Sequence, residues 1–68
     1  MTLKPTQKRI LQNLAAGRFW SNGCSGMAQY GGWNRSIYSL KAEGLVYIDK
    51  QTNQIQLSEN GKAVAKEL

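Results

Sequence analysis

The first fifteen positions alternate apolar and polar residues at helical spacing. In "LKPTQKRILQNLAAG" (Leu3–Gly17), Ile10, Leu11 and Leu14 form one stripe at ~100° per residue, flanked by Leu3 and Ala15. Pro5 suits a first helical position, and Gly17 supplies a left-handed stop. "RFWSN" then sets Phe19 and Trp20 side by side, as a very short strand or as a plug over the first helix. The glycine-rich "GCSGMAQYGG" predicts a short helix over Ser25–Tyr30, with Met27 and Ala28 inward and a turn at Gly31 and Gly32. A further helix over about 33–43 follows, with Asn34 as its N-cap or first-turn residue. Trp33, Ile37, Leu40 and Gly44 fall on one side of it, and Arg35, Tyr38, Ser39 and Ala42 on the other. Gly44 ends this helix.

The period then changes to two. "LVYID" places Val46 and Ile48 on one face of a strand, and "IQL" returns with Ile55 and Leu57 inward. Between them "KQTNQ" lacks Asn-Gly or Asp-Gly, which predicts a loop of three to five residues rather than a tight two-residue turn. Ser58 caps a last helix, "SENGKAVAKEL", whose stripe is Gly61, Val64, Ala65 and Leu68.

Sixty-eight residues make one domain, 1–68, able to hide only about 60% of its unfolded surface. No apolar run of about 20 residues and no signal-peptide pattern occurs, so a soluble, cytoplasmic chain without a membrane partner is expected. Cys24 is the single cysteine and there is no histidine, so a free thiol is expected and a structural metal site has too few ligands. Glu43, Asp49, Glu59 and Glu67 are scattered, with no close pair to act as general acid and base. "YGGW" lacks the length and the lysine of a phosphate-cradling loop. Neither catalysis nor a cofactor is expected. Nine Lys and Arg against four acids leave a formal charge of +5, which favours polyanion partners, nucleic acid first.

The order of elements, with "SLKAEGLV" (Ser39–Val46) and "IQLSENGKAV" (Ile55–Val64), resembles the winged helix-turn-helix family. That family includes bacterial transcription regulators of the multiple-antibiotic-resistance and metal-sensor types. The first segment is similar to the end of a recognition helix entering the first wing strand. The second is similar to the other wing strand entering a helix, with Leu57, Ser58 and Gly61 matching Leu-Ser/Thr-x-x-Gly. The resemblance spans roughly Pro5 to Leu68. It departs at "CSGMAQYGG", richer in glycine than the family's Leu-Ala-rich second helix, and a small phage- or plasmid-type regulator fits a chain without a sensing extension.

The resemblance implies an α+β fold: a three-helix core, a two-stranded β-hairpin wing and a C-terminal helix. It also implies double-stranded DNA binding and transcription regulation, with the helix over 33–43 in the major groove. Asn34, Arg35, Ser36, Tyr38 and Ser39 would then face DNA, Arg35 pairing with a guanine and Asn34 with an adenine or a phosphate. Lys41, Arg9 and Lys50 would meet phosphates, and the wing tip Lys50, Gln51, Thr52 and Asn53 the backbone or minor groove. So few base contacts favour a homodimer, or recruitment by a protein partner. The alternative is a protein-interaction module without DNA binding, motivated by the six aromatics Phe19, Trp20, Tyr30, Trp33, Tyr38 and Tyr47.

Overall fold

The first helix starts where the sequence places its proline. α1 spans Pro5–Ala15, and Oε1 of Gln7 accepts a hydrogen bond from the Lys4 amide at 2.8 Å. This is one half of a capping box; the Lys4 ammonium is donor-only and cannot complete the other half. At the far end Gly17 adopts φ +77°. Its amide donates to Leu14 O and that of Arg18 to Asn13 O, the paired bonds of a Schellman motif.

The computed structural model describes residues 3–23 and 26–68, and of residues 27–29 only the backbone. The expected placements of Cys24 and Ser25, and the inward orientation of Met27 and Ala28, lie outside the described residues. The remaining elements are α2 (Met27–Ala42), β1 (Val46–Asp49), β2 (Gln54–Leu57) and α3 (Glu59–Lys66). The chain is thus a small α+β fold with three helices and one antiparallel hairpin.

One expectation is overturned. Gly31 and Gly32 form no turn; they lie inside α2, which runs unbroken for 16 residues, about 24 Å. Two helices therefore precede the hairpin, not three, and Asn34 is a mid-helix residue rather than an N-cap. The local signal for a turn was real, since each glycine costs up to about 1 kcal/mol relative to alanine in a helix. It is outweighed because a continuous helix aligns Trp33, Ile37 and Leu40 on one face, all three buried.

That face meets Ile10 and Leu11 of α1, and with Trp20, Leu45, Val46 and Leu57 these residues make the core. Trp20 is the buried member of the adjacent aromatic pair, in a loop rather than a strand; Phe19 is 63% exposed. A second Schellman motif ends α2, with Gly44 at φ +76° donating to Lys41 O and Leu45 donating to Leu40 O. Leu45 thereby folds back over Leu40, and both are almost fully buried.

In the hairpin Val46 pairs with Leu57 and Ile48 with Ile55, so the four share one face. Only its base is covered. Val46 and Leu57 are buried, Ile55 is half-buried, and Ile48, farther out, is exposed. The four-residue loop Lys50–Asn53 has the expected length. Asp49 Oδ1 accepts from the Gln51 amide at 2.9 Å, and Asn53 takes the left-handed conformation at φ +58°.

Ser58 caps α3 as expected, accepting from the Gly61 amide at 3.0 Å, and its hydroxyl also donates to Gly44 O. Val64 and Ala65 pack on the core, whereas Leu68, expected on the same stripe, is exposed because α3 ends at Lys66. Gly61 is buried against the α2–β1 junction, where an added Cβ would lie 1.9 Å from Leu45 O.

Glycine substitutions in α2 and α3 should have opposite signs. Among the described residues nothing lies within 4 Å of a Cβ placed on Gly31 or Gly32, so Gly31→Ala should raise stability by up to about 1 kcal/mol. Gly61→Ala must displace a backbone carbonyl and should cost on the order of 1–3 kcal/mol. Urea unfolding of both variants checks this. A destabilising Gly31→Ala would bring back the turn that the unbroken α2 excludes.

Candidate nucleic-acid interface

The outward face of α2 follows from its buried stripe. With Trp33, Ile37 and Leu40 inward, Asn34, Arg35, Tyr38 and Lys41 are all exposed. Asn34, Tyr38 and Lys41 succeed one another at i, i+4 and i+7 and so line one flank. No acidic residue occurs anywhere in α2.

The other flank of α2 faces the start of α1. There Arg35, Ser36 and Ser39 join Lys4, Gln7 and Gly32 around a cleft of about 420 Å³. Gln7 is buried and bridges the two helices, its Nε2 donating to Ser39 Oγ at 3.1 Å. Ser36 is half-buried and donates to the Gly32 carbonyl at 3.1 Å. Both serine hydroxyls are thus engaged within the protein, while Arg35, exposed and lining the same cleft as Lys4, has no hydrogen-bond partner among the described residues.

Arg9 lies elsewhere. It shares a shallow depression of about 530 Å³ with Lys8 and Arg18, between α1 and the 18–23 loop. Asn13 holds that loop: buried on α1, it donates from Nδ2 to Trp20 O at 3.1 Å and to Asn22 O at 2.8 Å. Its Oδ1 accepts from Nε of Arg18 at 3.3 Å, so one amide both anchors the loop and orients a cation. In the hairpin loop, Lys50, Gln51, Thr52 and Asn53, the expected wing tip, are all exposed.

The structure therefore divides the expected contacts into three places: the α2 face with its cleft, the Arg9 depression and the wing tip. Sequence reasoning assigned no contact to Lys4, Gln7, Lys8, Asn13 or Arg18. One signal was available for the cations. Six of the nine lie before Glu43, and all four acids lie at or after it. The segment that builds α1, its loop and α2 thus carries the whole positive excess. For Gln7 and Asn13 no pattern stood out, because each is a polar residue inside a helix that a distant segment later covers.

Two exposed aromatics, Phe19 and Tyr30, flank the buried Trp20. The rings of Phe19 and Trp20 lie 5.8 Å apart and those of Trp20 and Tyr30 5.5 Å, both tilted. Ile55 lines the same recess as Phe19 and Trp20, with Arg18 at its rim. Among the described residues no helix is long and apolar enough to cross a membrane. In comparisons with known proteins no family model, curated protein or solved structure matches the chain.

The anchoring role of Asn13 has a measurable consequence. Asn13→Ala strands the carbonyls of Trp20 and Asn22 and should cost about 1–3 kcal/mol. Hydrogen exchange should accelerate at the Arg18 and Asn22 amides before it does in the centre of α2, since the first ties the loop to Asn13 O on α1 and the second bonds Phe19 O within the loop. Unchanged exchange there would remove the anchoring role.

Proposed function

We propose that the chain is a winged-helix-like domain that binds double-stranded DNA with sequence selectivity, as a small transcription regulator. The observation that carries this reading is the outward face of α2, where Asn34, Arg35, Tyr38 and Lys41 are exposed on an acid-free helix. A major groove about 12 Å wide admits such a helix. Arg35 is the candidate reader of guanine and Asn34 of adenine, with Tyr38 and Lys41 on sugar and phosphate. Because α2 is unbroken, it acts as supporting and reading helix in one piece, with no turn between them. The wing tip is exposed and extends away from the core, where Lys50 can reach a phosphate.

A second reading, a protein-docking module, is favoured by the Phe19–Trp20–Tyr30 cluster and by Tyr38 and Tyr47, both exposed. Capture experiments with and without nuclease separate the two. Mobility-shift titration on random and selected duplexes tests the first directly, and absence of binding at low salt even to enriched sequences removes it. Symmetry in the selected sites would identify a dimer.

Arg35 and Lys50 should differ in kind. Arg35→Ala is expected to lose about 1–3 kcal/mol on the selected site and much less on random DNA. Lys50→Ala should weaken all sequences alike and lower the salt slope by roughly one unit. Both side chains are exposed and, among the described residues, neither makes a hydrogen bond, so both variants should stay folded. Ile37→Ala, by contrast, should lose a few kcal/mol of stability. Equal, sequence-independent losses for the two charge variants would reduce α2 to a backbone contact.

A further inference from the structure

We propose that the depression between α1 and the 18–23 loop is a phosphoryl-anion site, in which Lys8, Arg9 and Arg18 converge on one group. The three cations line one surface depression with no carboxylate in its wall. The four acids of the chain lie at Glu43 or beyond, on the end of α2, the hairpin and α3. The one salt bridge among the described residues joins Lys62 to Glu59, on α3. Three like charges gathered without a counter-charge repel one another, and a bound anion relieves that repulsion.

The depression is also organised. Asn13 ties the loop to α1 through two carbonyls and steers Arg18 through Nε, leaving the terminal nitrogens of Arg18 for a ligand. Gly23 closes the loop at φ +94°, a conformation that disfavours any side chain, and a Cβ there would come 3.7 Å from Nε of Arg9. Bare backbone therefore faces the Arg9 guanidinium, and Arg9 is exposed. Two guanidinium forks and one ammonium match the several oxygens and double charge of a phosphoryl group better than a single carboxylate.

The group has two possible sources, the backbone of a nucleic acid or a free phosphate ester, and the site's existence does not rest on the DNA-binding reading. The test uses the whole chain and inorganic pyrophosphate at low ionic strength, followed by amide chemical shifts and by thermal melting. Saturable shifts at Arg18, Asn22 and Gly23 and a rise in Tm are expected. Both should weaken about tenfold or more in affinity in Arg9→Gln and Arg18→Gln, and persist in Lys62→Gln, which removes a cation from α3. Among the described residues the Arg9 side chain makes no hydrogen bond, so Arg9→Gln keeps the test valid should Arg18→Gln loosen the loop. Duplex titrations then separate the sources. A salt slope lowered by about one unit in each arginine variant assigns the site to the nucleic-acid backbone. An unchanged slope, or no duplex binding at all, assigns it to a free phosphate ester. No response to pyrophosphate in the native chain overturns the proposal, as does an equal response in Arg9→Gln, whatever the duplex experiments give.

Discussion

The two chain reversals on either side of the hairpin are locked to each other, and the fold depends on that lock. Gly44 and Leu45 turn the chain from α2 into β1, and Ser58 to Gly61 turn it from β2 into α3. The Ser58 amide donates to Leu45 O at 3.0 Å, its hydroxyl donates to Gly44 O, and the same hydroxyl accepts from Gly61. Gly61 lies so close to Leu45 O that no side chain fits between them. The contact gives partners to the Leu45 carbonyl and the Gly61 amide, which belong to buried residues. It also sets where the hairpin leaves the core and which face of α3 closes over α1 and β2.

With that junction set, α2 has little freedom. Its C-terminal end is held by the lock and by Leu45 folded over Leu40. Its flank is held by Gln7 reaching Ser39, and its buried stripe by Trp33 and Ile37. The rotation of the helix is thereby determined, and with it the identity of the outward residues. Gly31 and Gly32 remain in the exposed part of α2, where they weaken the helix and leave bare backbone beside Arg35. A surface that gives up helix stability in this way keeps its backbone accessible to a close-fitting partner.

Charge is distributed as unevenly as packing. The excess of cations lies on α1, the following loop and α2, while the hairpin and α3 hold every acid except Glu43, which caps the end of α2. A polyanion approaching this molecule is drawn first to the α1–α2 side, and exposed charges act over roughly a Debye length of 8–10 Å at ordinary ionic strength. The hairpin loop, with Lys50 beside Asp49, contributes little to that field.

Local chemistry was enough to predict α1, the hairpin and α3. Pro5, Gly17, Gly44 and Ser58 act within a few residues of themselves, through fixed φ, left-handed backbone or a capping oxygen, so their effects are legible without a partner. The alternation Val46, Ile48 against Ile55, Leu57 likewise favours this register, because a slip by one residue would put the two strands' apolar pairs on opposite faces. The candidate reading face was legible for the same reason, as the complement of an apolar stripe. The unbroken course of α2 was not. Two glycines signal a turn locally, and only the shared burial of Trp33, Ile37 and Leu40 against a distant α1 outweighs that signal. Nor could the sequence assign Asn13, Gln7 and Gly61, whose roles arise from partners 7 to 32 residues away. Such contacts depend on distances across the folded chain, which tertiary packing alone decides.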